Sequence, residues 1–108
     1  MTDDEGTLGG YLRRHQRPPA FGGPDGRAYS VGVLVDDAPN ADGRYGAGVL
    51  FVRWSPAGDV PDGHVETDWL VYGETQAAAK RALHGLTLHD LKLQLDRAVE
   101  AQREEPDW

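Results

Sequence analysis

The sequence contains no cysteine. This absence excludes a disulfide framework, a thiol nucleophile and a cysteine-based zinc site. Long apolar runs are also missing, since none approaches the roughly 20 residues that a membrane-spanning helix needs. Residues 1–5 are polar and mostly acidic where a secretory signal would be basic. We therefore expect a cytoplasmic protein that does not bind membranes.

Catalytic and cofactor motifs are scarce as well. Serine occurs only at Ser30 and Ser55, and neither a G-x-S-x-G elbow nor an H-E-x-x-H pair is present. Glycine is plentiful, but the G-x-G-x-x-G spacing of nucleotide-binding loops does not occur. We expect no cofactor and no metal, and the sequence favours a protein that is not an enzyme.

Positive charge is in the minority. Lysine and arginine number 11 against 18 aspartates and glutamates, so the formal net charge is 11 minus 18, or −7. An acidic chain repels phosphate backbones at long range, which argues against nucleic-acid binding. The one local exception is a basic segment that contains Arg13, Arg14 and Arg17, and it keeps nucleic-acid binding as an alternative.

Alternating side chains predict three strands, at residues 29–35, 45–54 and 64–72. Short connections rich in proline, glycine and aspartate join them, which indicates an antiparallel meander. In the third strand, alternation places Val65, Thr67, Trp69 and Val71 on one face. The second strand is apolar on both faces, so both sides of the sheet should be covered. Helices would cover one side, and either the N-terminal arm or a second subunit would cover the other.

Two helices are predicted after the sheet. Thr75 is a plausible N-cap for the first, and Thr87 with Asp90 forms a capping box for the second. Leu93 lies away from the apolar stripe of the second helix, which is formed by Leu88, Leu91, Leu95, Ala98 and Val99. Residues 8–17 can form a short N-terminal helix, although Gly9 and Gly10 disfavour it. We expect an α+β fold, with residues 1–7 disordered and residues 8–108 in one domain.

The densest group of titratable residues is His64, Glu66 and Asp68, which alternation places on one face of the third strand. An imidazole and two carboxylates could hold a metal or act as a general acid and base in a small hydrolase. Polar residues also decorate the solvent face of many antiparallel sheets, and we favour that interpretation.

Residues 73–86, Gly-Glu-Thr-Gln-Ala-Ala-Ala-Lys-Arg-Ala-Leu-His-Gly-Leu, carry two family resemblances. A strand, Gly-x-Thr and an alanine-rich helix resemble the end of a double-stranded-RNA-binding domain. That family carries phosphate-binding lysines where this chain has Gln76, Ala77 and Ala78. The same stretch is similar to the strand–helix junction of HicB-type antitoxins, which implies a small, acidic, partner-binding protein.

The sequence as a whole predicts a non-catalytic protein-interaction or regulatory domain. We expect a homodimer, because one sheet with two helices has too little surface to cover its apolar groups, and a further protein partner is an open alternative. The residues expected to bind are Arg13, Arg14, Arg17, Phe21, Trp54 and Leu93.

Overall fold

A computed structural model describes residues 6–104 of the chain. Its elements are α1 (Leu8–His15), β1 (Ala20–Gly22), β2 (Ala28–Val35), β3 (Tyr45–Trp54), β4 (Pro61–Glu66), β5 (Val71–Gly73), α2 (Gln76–His84) and α3 (Leu88–Glu104). The strands form one antiparallel sheet. The α+β class, the antiparallel meander, the two C-terminal helices and the short N-terminal helix are all confirmed.

The sheet has the strand order β1-β2-β3-β4, and β5 pairs with the other half of β3. The long central strand β3 has the bounds that its apolar alternation predicts. It pairs with β2 along most of its length, from Tyr29 opposite Arg53 to Val35 opposite Ala47. Each hairpin loop contains one glycine with a positive φ angle, Gly26, Gly43 or Gly58, a conformation that residues with a Cβ rarely adopt.

The predicted third strand at residues 64–72 is two strands, β4 and β5, separated by a bulge. Glu66 pairs with Leu50, whereas Val71 pairs with Ala47. Between these two pairs the chain therefore advances by 71 minus 66, or five, residues, whereas β3 advances by 50 minus 47, or three. The difference of two residues is even, so Val65 and Val71 still face the same side of the sheet.

The two C-terminal helices begin at the predicted caps. The Thr75 hydroxyl accepts a hydrogen bond from the Ala78 amide at 3.0 Å. Thr87 and Asp90 form the reciprocal bonds of a capping box, at 3.0 and 3.2 Å. Both helices pack on one face of the sheet, which we call the covered face. None of the helices within residues 6–104 is long and apolar enough to cross a membrane.

The helix α1 lies on the same side of the sheet as α2 and α3. Leu8 is fully buried in the common core, and Leu12 packs against it. The Leu8 amide donates to the Leu86 carbonyl at 2.9 Å, and the Leu88 amide donates to the Gly6 carbonyl at 2.7 Å. Gly9 permits this docking, because a Cβ at that position would lie 3.1 Å from the His84 Cβ.

The described part of the N-terminal arm therefore does not cover the second face of the sheet. Phe21 also points to the covered face, since it pairs with Tyr29 and packs against the core. The sequence predicts that either the N-terminal arm or a second subunit covers the second face. For residues 6–22, the prediction that the N-terminal arm covers it is wrong. Residues 1–5 of the predicted disordered segment lie outside the described residues.

Candidate interaction surface

The second face of the sheet carries an apolar surface that no described helix covers. We call it the open face, and it comprises alternate residues of the strands together with one residue of the bulge. Tyr72 is 47% exposed and Trp69 is 40% exposed, while the other apolar side chains are half-buried. Its large apolar members are Leu34, Leu50, Val52, Trp54, Trp69 and Tyr72.

Two glycines of β3 let the bulge fold over the open face. A Cβ on Gly48 would lie 2.8 Å from the Asp68 carbonyl oxygen, and a Cβ on Gly46 would lie 2.6 Å from the Trp69 ring. Real Cβ atoms do not approach other atoms so closely, so larger residues would displace the bulge. Trp69 therefore lies on the open face, and its predicted place beside Val65 and Val71 is wrong.

Thr67 holds the start of the bulge through its hydroxyl group. The Val49 amide donates to the Thr67 Oγ1 atom at 3.0 Å, and the same hydroxyl donates to the Asp68 carbonyl at 2.7 Å. The Thr67 hydroxyl thus takes the place of the backbone carbonyl that would accept this hydrogen bond in a regular antiparallel pair of strands. Further along, the Leu70 amide rejoins β3 by donating to the Ala47 carbonyl at 2.8 Å.

The predicted polar group is brought together only in part. His64 and Glu66 are neighbours on β4, with Nε2 and Oε2 3.3 Å apart, and both are more than half exposed. Asp68 lies in the bulge rather than on the strand. Within residues 6–104, no three His, Asp or Glu side chains are grouped so that they could hold a metal ion. Exposed groups of this kind favour a solvated strand surface over a catalytic centre.

A polar cluster held by several hydrogen bonds joins two hairpins at the end of the sheet away from the bulge. Asp62 accepts hydrogen bonds from Arg27 and from the Arg53 Nε atom, the latter at 2.9 Å. The Tyr29 hydroxyl donates to Asp25 at 2.6 Å. Sequence reasoning missed this cluster, because its members are far apart in the chain and each lies in or beside an ordinary turn pattern.

The electrostatics of this cluster indicate a structural role. Hydrogen bonds from Arg53 and then Arg27 lower the pKa of Asp62. Burial, followed by the hydrogen bond to Asp25, raises the pKa of Tyr29 to about 12. Tyr29 therefore stays protonated and Asp62 stays ionised near neutral pH, so neither group is poised to exchange a proton in a reaction.

The predicted basic segment lies at the C-terminal end of α1. Arg13 and Arg14 lie in the last turn of α1, and Arg17 follows that helix; all three are exposed. The next arginine in the chain, Arg27, forms an ion pair with Asp62 instead. The exposed basic residues of this segment therefore occupy one short helix end, where Arg13 and Lys80 of α2 both lie near His84.

The predicted binding residues Trp54 and Leu93 lie in different layers, Trp54 in the sheet and Leu93 on α3. The Trp54 ring lies on the open face, where its Nε1 atom donates to the Ser30 hydroxyl at 3.0 Å. Leu93 is 43% exposed on α3, and it borders a shallow groove of about 270 Å³ with Leu70 and Leu86.

One histidine lies within the helical layer. The Nε2 atom of His84 is buried and has no hydrogen-bond partner among the described residues. Burial, followed by the nearby charges of Lys80 and Arg13, lowers the pKa of this imidazole. Its surroundings at the contact between α1 and α2 thus favour the neutral form of His84.

Comparison with known proteins finds no relative. No family model, no curated protein and no solved structure matches the chain. The resemblances of residues 73–86 to RNA-binding domains and to HicB-type antitoxins therefore receive no support beyond the residues that suggested them.

Proposed function

We propose that this protein is a non-catalytic interaction domain that associates with a second copy of itself through the uncovered part of its sheet. The observation that carries the proposal is the one-sided position of the helices α1, α2 and α3. They leave the tryptophans and leucines of the open face in contact with water. Large apolar patches on small proteins commonly mark contact surfaces.

The charge distribution also supports a protein partner. The open face is mostly apolar, and its charged residues are few: His64 and Glu66 stand at one side on β4, and Asp68 lies in the bulge. Protein–protein interfaces commonly combine apolar contact area with polar residues of this kind. The net charge of −7 disfavours a nucleic-acid partner.

Light scattering at micromolar protein concentration tests the proposal. We expect twice the chain mass of 11.8 kDa. Leu34→Glu should return the mass to that of one chain, because it places a charge on the open face beside the free edge of β2. Leu93→Glu is the matched control, since Leu93 is an exposed leucine on α3 and not on the sheet, and we expect it to leave the dimer intact.

Two outcomes would contradict this function. A mass of one chain at all accessible concentrations would exclude self-association. Dissociation by Leu93→Glu, with an intact dimer in Leu34→Glu, would move the contact to α3.

A further inference from the structure

The outer edge of β2 is only partly paired. The strand β1 covers Ala28 to Ser30, and the Val31 amide makes one further bond, to the Pro19 carbonyl at 3.2 Å. Pairing ends there because Pro18 and Pro19 have no amide proton to donate. No described strand lies beside residues 32–35 on this side.

The free hydrogen-bonding groups of this edge belong to Val33 and Val35. In a strand, successive residues direct their amide and carbonyl groups to opposite sides. Asp36 donates to Gly46 of β3, whereas Val31 donates to Pro19 on the outer side. By the same alternation, Val33 and Val35 direct their amides and carbonyls outward, where no described residue bonds them. Both residues are half-buried, so water reaches this part of the strand.

This inference rests on the self-association proposed above. We propose that the edge of β2 in one copy pairs antiparallel with the same edge of a second copy, about a twofold axis at Leu34. In this register, Val33 exchanges both of its backbone hydrogen bonds with the partner's Val35, and Val35 does the same with the partner's Val33. The four free groups of each copy are then satisfied. A register centred on Val33 would instead need the Val31 amide, which is already bonded to Pro19.

Charge complementarity favours a second copy as the occupant of the edge. Asp36 and Asp37 follow β2, and Asp37 is exposed. In the proposed register the partner's Val35 lies opposite Val33, so its Asp36 and Asp37 leave the edge beside Pro19, which already bonds Val31 and is close in sequence to the exposed Arg17. The twofold axis thus brings the acidic end of each strand to the basic end of the other. Nothing on the edge itself opposes pairing, since residues 31–35 are Val-Gly-Val-Leu-Val, without the lysine or proline that commonly protects an edge.

Pairing in this way makes the two sheets continuous. Leu34 of each copy meets the partner's Leu34 on the open face, so the two open faces become one surface of double width. Cross-strand contact between such side chains stabilises adjacent strands.

Hydrogen exchange of the backbone amides, followed by NMR on the wild-type chain, tests the edge directly. At concentrations where light scattering gives a dimer, we expect the Val33 and Val35 amides to be protected to a degree comparable with Gly32 and Leu34, whose amides face β3. Exchange at Val33 and Val35 as fast as in the exposed turn at Ala57 would overturn the proposed pairing.

A substitution provides the second test. Val33→Pro removes an amide that bonds nothing within the chain, so the strand can tolerate it at an edge. We expect it to reduce the mass to one chain while circular dichroism still shows a folded protein. Trp54→Glu probes the open face away from this edge, and Leu93→Glu on α3 is the control that should leave the dimer intact.

The outcomes separate this inference from the function on which it rests. A wild-type monomer would overturn both. A dimer that is lost in Trp54→Glu and kept in Val33→Pro would retain self-association but place it on the open face instead of the edge. If Val33→Pro does not fold, the exchange rates of the wild-type amides decide.

Discussion

The two faces of β3 differ although their compositions are similar. Ala47, Val49 and Phe51 are completely buried under the helices. Leu50 and Val52, which alternate with them, are only half-buried on the open face. An apolar strand face therefore predicts that other residues should cover it. Whether those residues belong to the same chain depends on the topology of the remaining elements.

The largest expected difference between the two faces is the loss of stability when one of their side chains is shortened to alanine. Phe51→Ala should lower the free energy of unfolding by about 3–5 kcal/mol, because it leaves a cavity between sheet and helices. Leu50→Ala should cost about 1 kcal/mol, since water already reaches part of that side chain. Urea unfolding at one fixed protein concentration measures both. Equal losses would show that a second copy covers the open face around Leu50.

A smaller effect is expected where the bulge crosses the open face. Gly48→Ala should lower the free energy of unfolding by about 1–3 kcal/mol, because its new methyl group would collide with the backbone at Asp68. Gly22→Ala is the matched control in another strand, where a Cβ would meet nothing within 4 Å. Thermal unfolding compares the two variants. If Gly48→Ala were as stable as Gly22→Ala, the bulge would not be fixed against β3.

The smallest effect concerns the helical layer and depends on pH. The pKa of His84 is lowered in the folded chain from its ordinary value of 6.5. The unfolded chain therefore binds more protons than the folded chain below about that pH, and stability should decrease as the pH falls through this range. His84→Gln should reduce the pH dependence of the free energy of unfolding, measured between pH 7.5 and about 5. Lys80→Gln should reduce it in part, because Lys80 is one of the two charges that oppose protonation. An unchanged slope in His84→Gln would assign the pH dependence to other groups.

The elements that sequence reasoning predicted well are those fixed by neighbouring residues. The bounds of β3 follow from alternation within that strand, and the starts of α2 and α3 follow from Thr75 and Thr87, whose hydroxyls bond amides three residues later. Propensity alone disfavoured α1 because of Gly9 and Gly10. The structure retains it because Gly9 allows close contact with α2, a tertiary effect that outweighs local preference.

The elements that sequence reasoning missed depend on distant partners. The alternation of residues 64–72 is unbroken, so nothing within that segment indicates a bulge. Gly46 and Gly48 on another strand provide the space that it needs. In the same way, Arg27 and Asp62 meet only because two hairpins end side by side. For the candidate surface, the apolar residues were predictable, but the position of the N-terminal arm was not, since the contact of Leu8 with Leu86 joins opposite ends of the described sequence.

That last contact has a consequence for the order of events during synthesis. The helix α1 leaves the ribosome before the other described elements, but its docking site is formed by His84, Leu86 and Leu88, about 80 residues later in the chain. The hairpins β2–β3 and β3–β4 can form from neighbouring residues while α1 has no site to occupy. Leu8 therefore stays exposed to solvent or to chaperones until α2 has emerged, and docking of α1 belongs to the closing steps of folding.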